Sequence, residues 1–339
     1  MIFINIDCPA RCNTSFRNQT DKEHHKGVSI LETIPNFDMV TGFVLDYMHL
    51  VLLGVVRKIL NWLKSGPIVR EPSVRLQHSK LLVVSDRLKH VSKFFPVEFA
   101  RKPRSIFLLA FWKATEFRTF LLYSGPIVLL HIIRDDLHVH FLKLHVAMKI
   151  LLHPDTCEKF NGFASGLLNE FVDDCPDLYG NEFMSYNVHG LIHLRNDAAL
   201  HSHLDRVSAF PFEDFLGNLK KLLRKPNAKL KQVVHRYFER EKHGISEKPT
   251  EISLTPLFQS NHVHYDVPML PNVRGTQYNE IFISGFKLTI SQPNNYMILN
   301  DRKVVVIKNF VRTFENEDFV LGFFFQSQKT CIPFPFPIT

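Results

Sequence analysis

Apolar positions recur along most of the chain at the three- and four-residue spacing of a helix. Near the C-terminus they shift to the alternation of strands. The strongest run is 43–63, FVLDYMHLVLLGVVRKILNWL, apolar on almost all sides and therefore expected as a deeply buried helix. Residues 74–94 predict a helix with a basic face: Arg75, Lys80, Arg87, Lys89 and Lys93. Another is expected over 112–122. Pro126 is placed to start a further helix running to 153, because its missing N–H costs nothing in a first turn. A helix is also expected over 158–171, before a turn-rich acidic stretch. In 208–221 the residues Phe212, Phe215, Leu216, Leu219, Leu222 and Leu223 fall on one side, which predicts a buried stripe. Glu213 lies in the first turn and Lys220, Lys221, Arg224 and Lys225 at the far end, so the charges complement the helix dipole. A mainly basic helix is expected over 227–242.

The remaining segments read as strands and connections. Residues 1–7, MIFINID, predict a short strand presenting Asp7 at its end, with Pro9 stopping it. Residues 13–26 are polar and loop-like, and 66–72 break the helical pattern. Residues 96–104 form a loop carrying Arg101, Lys102 and Arg104. Residues 244–280 are mixed and proline-bearing, and are expected as a linker. Strands are expected over 281–290, 304–311 and 319–325, with turns at 293–295 and 300–301. A proline-rich tail follows.

Composition narrows the function classes. With 339 residues and 45% hydrophobic content the chain can bury a large core and hold more than one module. A formal charge of +8 suits an anionic partner such as nucleic acid. No window reaches the roughly 18–20 uninterrupted apolar residues of a membrane span, and the first residues do not read as a signal peptide. Five cysteines without a framework spacing read as reduced thiols. The expectation is a nuclear or cytosolic protein, neither secreted nor transmembrane.

Candidate chemistry is sparse. Asp46 and His49 are three apart and face one way; each needs a polar partner, either the other or a third group. His189 and His193 have the i, i+4 spacing that can bind zinc on a helix, without the glutamate of H-E-x-x-H. His138 and His145 share a face and His140 lies elsewhere, so no three ligands converge. His24 and His25 are adjacent and point apart, and Cys8 and Cys12 alone are a poor zinc signal. For Lys220–Lys225 and the basic helix after it, phosphate contact and a solvated surface are both open.

The segment PFEDFLGNLKK resembles the PFERYMGxLK-type segment of CACTA (EnSpm-like) transposases. DCPA, HHKG, DYMHLVLLGV, the block from EFARKPRS to WKATEFRTFLLYSG, and NVHGLIHL are similar to that family too, from residue 7 to about 325. The resemblance implies an α+β, predominantly helical chain: the remnant of an RNase H-like core with a large helical insertion and a small C-terminal β module. It implies a residual core strand and loop over 1–27, the insertion over 28–205, an acid-bearing core helix and a basic helix over 206–243, the linker, and the β module and tail over 281–339. Asp7 and Glu213 become the second and last acids of the metal-holding DDE triad, which binds Mg²⁺. Asp46, His49, His189 and His193 become motif residues of the insertion. Arg101, Lys102, Arg104, Lys113, Arg118, Lys220, Lys221, Arg224 and Lys225 become DNA contacts, with internal ion pairs to Glu116 equally open for those around it. The family's Cys-rich knuckle and the region carrying its first acid are missing, so the chain is expected to be truncated, catalytically inactive and a residual DNA binder. The alternatives are an active Mg²⁺-dependent transposase completed by another chain, a gene-model fragment without function, and a zinc enzyme on Asp46, His49, His189 and His193. No helix-turn-helix or zinc finger is recognisable to read bases.

Overall fold

The computed structural model describes residues 9–22, 25–67, 73–243, 256–262, 274–299 and 301–324. The strand expected over 1–7, with Asp7, lies outside them, as do Cys8, His24 and the tail from Phe325. The chain is α+β: helices with one antiparallel sheet near the C-terminus. It divides into two compact units, Met1–Leu88 with Pro103–Arg236, and Lys89–Lys102 with Tyr237–Thr339.

The first unit is helical. After the short α1 (Asn13–Arg17), the apolar run 43–63 forms a π-helix, Met48–Val56, continued by α2 (Arg57–Ser65). The helix therefore starts five residues later than its hydrophobicity predicts. The reason is Asp46, whose carboxylate accepts the backbone N–H groups of Met48 (3.2 Å) and His49 (3.1 Å). That capping role belongs just outside a helix, where the first N–H groups lack partners. Behind it Tyr47, Met48, Val51, Leu52, Val55, Val56, Ile59 and Leu60 are buried, as the run predicts.

α3 (His78–Ser92) buries Leu81, Val84 and Leu88. Residues 112–122 split into α4 (Ala114–Thr119) and a π turn, Phe120–Ser124, before α5 (Gly125–Leu129). The helix expected from Pro126 to 153 is broken: Arg87 draws the carbonyls of Val128 and Leu130 to its guanidinium, His131 has φ +60°, and α6 (Asp135–Leu152) begins anew. Asp135 and Asp136 occupy its first turn, where the helix dipole favours them.

α6 packs along α8 (Asn161–Tyr179), with α7 (Pro154–Lys159) as the corner between them. The acidic stretch expected as turns after residue 171 is helical instead, because Val172, Cys175 and Tyr179 continue the buried stripe of α8. Residues 185–194 form α9 (Tyr186–Gly190) and a 3₁₀ turn (Leu191–His193) that leads into α10 (Leu194–His201). α9 lies against the π-helix at two glycines. A Cβ on Gly54 would stand 2.5 Å from the Asn187 side chain, and one on Gly190 would stand 2.6 Å from Leu50.

α11 (Phe210–Lys221) forms where expected, but its stripe is not buried. Phe212, Phe215 and Leu216 are 69%, 51% and 58% exposed, and among the described residues nothing covers that face. Only Leu222, just beyond the helix, is buried. Gln232 then closes the turn to α12 (Lys229–Lys242): its amide accepts the N–H groups of Arg224 and Lys225 and donates to the carbonyls of Lys225 and Asn227.

The second unit contains the sheet, in the order β1 (Leu257–His262), β2 (Gly275–Ile283), β5 (Val304–Thr313), β4 (Tyr296–Ile298). β3 (Phe286–Thr289) pairs with β2, and β6 (Asp318–Phe324) with β5, all antiparallel. β1 and most of β2 fall in the stretch expected as a linker. β1 is largely exposed, so it lacks the alternating apolar pattern that would announce a strand. β2 and β3 are joined by Ser284 and Gly285, both at positive φ (51° and 82°), as a two-residue type I′ hairpin requires. Ile281, Ile307 and Phe310 form the core, flanked by Phe258, Tyr278, Leu288 and Met297. Glu98 ties the 89–102 segment to this sheet by accepting from Lys287 N and Asn294 Nδ2.

Candidate functional site

Residues 45–49 meet the segment 197–213 at four points. Leu45 N donates to Asp197 Oδ2 (3.0 Å). Asp46 Oδ1 accepts from Ala209 N (2.9 Å), immediately before α11. Tyr47 Oη donates to Asp205 Oδ1 (2.5 Å), and Arg118 donates to the other Asp205 oxygen (2.6 Å). His49 Nε2 stands 3.5 Å from Glu213 Oε1. These pairs join positions some 150 residues apart in sequence, and each uses a polar group that an apolar helix start would otherwise leave unsatisfied.

Asp46 organises the cluster. Its Oδ1 accepts from Met48 N and Ala209 N; its Oδ2 accepts from His49 N and lies 2.5 Å from His49 Nδ1. The Nδ1–H of His49 is thereby turned to Asp46, and Nε2 faces Glu213. The expected Asp46–His49 pair is thus made, but at the surface rather than inside the core: the His49 side chain is 57% exposed and that of Glu213 56%. Glu213 sits in the first turn of α11, over N–H groups that attract a carboxylate. Burial pushes the Tyr47 phenol well above its ordinary pKa, with Asp205 adding to the shift, so Tyr47 acts as a fixed donor.

His189 and His193 lie beside this cluster in sequence terms, through Asp197. Their Nε2 atoms are 3.4 Å apart. Burial lowers both pKa values, and His193 lowers that of His189 further. Burial raises the pKa of Asp197, against the pull of the Leu45 N–H. Three further histidines bond backbone carbonyls inside the helical unit. His138 donates to Pro126 O, His145 to Leu121 O, and His140 to Phe171 O while stacking on the Phe171 ring at 3.9 Å.

The basic candidates divide. Arg104 makes a bidentate pair with Glu116 (2.5 and 2.7 Å), whose side chain is 1% exposed, and also donates to Phe111 O. Arg118 is bound to Asp205. Both guanidinium groups are thereby engaged inside the unit. Lys113, Lys220, Lys221, Arg224 and Lys225 are exposed on the first unit, and Arg101 and Lys102 on the second. Tyr47, Asp197 and Asp205 were not singled out by the sequence, where each is one polar residue in an ordinary amphipathic setting.

An RNase H-like core would use Mg²⁺ held by three acids. Of the two acids expected here, Glu213 is described and Asp7 is not. The nearby Asp46 already accepts three N–H groups and faces an imidazole. Among the described residues no three His, Cys, Asp or Glu side chains converge as a metal group. No helix among the described residues is long and apolar enough to cross a membrane.

A family model described as a domain of unknown function, DUF8592, matches residues 263–338, a span that holds β2 to β6 and none of the cluster. No curated protein and no solved structure matches the chain.

Proposed function

We propose that this is a transposase-derived protein of CACTA type, with an RNase H-like ancestry in its acid-bearing helix, that holds DNA without cutting it. One observation carries the reading: D-x-x-H, at residues 46–49, meets the helix of PFEDFLGNLKK through Asp46–Ala209 and His49–Glu213. Two of the segments similar to the family thus meet, although neither periodicity nor composition requires them to touch. The non-cutting part rests on the donor set, in which Asp46 is a positioning residue and Glu213 faces an imidazole.

DNA contact is assigned to Lys220, Lys221, Arg224 and Lys225, exposed cations at and just beyond the C-terminal end of α11. If all four neutralise phosphates, log Kobs should fall with log salt at a slope of about −3 to −4. Replacing all four by alanine should flatten that slope to near zero in an anisotropy titration with duplex DNA. Salt-independent binding, or none, overturns the DNA reading. Supercoiled plasmid with Mg²⁺ or Mn²⁺ tests the other half: nicking by the wild type that vanishes in Glu213→Ala would show an active nuclease.

A further inference from the structure

α11 is held to the helical unit by its two ends. Ala209 N donates to Asp46, the Phe210 ring lies 6.1 Å from the Tyr47 ring, centroid to centroid, and Leu222 is buried just past the last turn. Phe212 and Phe215 take no part in this attachment: they are 69% and 51% exposed, and among the described residues nothing covers either ring. They are three residues apart, so both stand on one face with Cβ atoms about 5–6 Å apart. The acids of the first turn leave that face clear. Glu213 turns to His49, and Asp214 lies about 200° around the axis from Phe212. At the other end Lys220, Lys221, Arg224 and Lys225 are exposed, and no Asp or Glu occurs between Phe215 and Arg236. One short element thus presents two bare aromatic rings and, about 13–14 Å along its axis, a cluster of cations.

We propose that α11 binds single-stranded DNA, with unpaired bases stacked on Phe212 and Phe215 and the adjoining phosphates on Lys220, Lys221, Arg224 and Lys225. The proposal rests on the DNA reading above and adds to it the state of the strand. Duplex DNA matches the cations alone, because its bases are stacked on one another and turn their edges, not their faces, to a protein. A second copy of α11 would cover the rings but add four more cations to the site. A single strand matches both features: every unpaired base offers a π-face, and every nucleotide a phosphate. Base–aromatic stacking tolerates any sequence, in keeping with a chain in which no base-reading motif is recognisable. Attachment of the helix by Ala209, Phe210 and Leu222 leaves both rings free to take a base without disturbing the fold.

The test is an anisotropy titration of the full chain with three labelled probes of equal length: an oligothymidylate, a duplex, and an abasic oligomer that keeps the phosphates and lacks the bases. The wild type should bind the oligothymidylate at least about fivefold more tightly than the abasic strand. Phe212→Ala and Phe215→Ala should each weaken oligothymidylate binding about five- to 150-fold and leave duplex affinity unchanged. Leu230→Ala, which removes an equally exposed but aliphatic side chain from α12, should change neither. Equal wild-type affinity for the oligothymidylate and the abasic strand overturns the stacking, and that comparison needs no variant to fold. Phenylalanine variants that bind the oligothymidylate as the wild type does, or that lose single strand and duplex alike, overturn it too. Duplex binding that persists through such a failure leaves the DNA reading standing, whereas no binding of any probe overturns both.

Discussion

Removing the Asp46 carboxylate should destabilise the helical unit far more than removing the His49 ring it carries. Asp46 accepts three backbone N–H groups, from Met48 at 3.2 Å, His49 at 3.1 Å and Ala209 at 2.9 Å. Two of these cap its own helix, and the third anchors the approach to α11. Loss of a helix cap costs about 0.5–2 kcal/mol. A hydrogen bond to a charged group contributes about 1.5–3 kcal/mol. The Asp46 side chain is 24% exposed, so water replaces part of what is lost. One cap and one partly screened anchor give about 2–4 kcal/mol for Asp46→Ala, roughly a 30- to 1000-fold shift in the folding equilibrium. Asp46→Asn keeps an acceptor and should lose about half as much. His49→Ala removes a ring that is largely in solvent and should cost under about 1 kcal/mol. Urea titration followed by tryptophan fluorescence measures this directly. The two tryptophans of the chain, Trp62 and Trp112, both lie in the helical unit, so the signal reports that unit alone. An Asp46→Ala change within about 0.5 kcal/mol of wild type, or a His49→Ala change as large, would refute the role given to Asp46.

Two further outcomes follow from the same geometry. The pKa of His140 is held down to about 4 by burial, so above pH 6.5 both folded and unfolded chains carry it neutral. As pH falls below 6.5 the unfolded chain takes a proton that the folded chain refuses. Stability is therefore lost between about pH 6.5 and 4, by about 3 kcal/mol in total, and His145 contributes in the same direction. His140→Gln should flatten that part of a pH–stability curve; an unchanged slope would assign the loss to other groups. Arg104→Ala strands the buried Glu116 carboxylate, which keeps only Lys113 N as a partner. It should lower stability by about 2–3 kcal/mol and leave the salt slope of DNA binding unchanged, measured in the same titrations; a flatter slope with intact stability would place Arg104 on the nucleic acid instead.

Local pattern determined a good part of this protein. The periodicity of 43–63 set out the buried helical run, the alternation after residue 281 set out strands, and the spacing of Asp46 and His49 put their side chains within reach of each other. These are properties of neighbours in sequence, set by the pitch of a helix or the pleat of a strand. The site was legible only at its ends, as D-x-x-H and as Glu213 in a first turn. Its middle was not, because Asp197, Tyr47, Asp205 and Ala209 N owe their roles to partners found only when the chain folds back. The exposed stripe of α11 makes the same point from the opposite side. Phe212, Phe215 and Leu216 have the spacing of a buried face, yet burial depends on what lies opposite, and spacing carries no information about that. Likewise the sequence leaves Arg104 open between phosphate and Glu116, and only the fold selects the ion pair; the break at 130–134 stays invisible until Arg87 arrives from α3 to take the carbonyls. The sequence determined most of the helices and the last strands; the tertiary structure decided which polar groups meet, because desolvation favours pairing most buried donors with whatever acceptor the fold brings near.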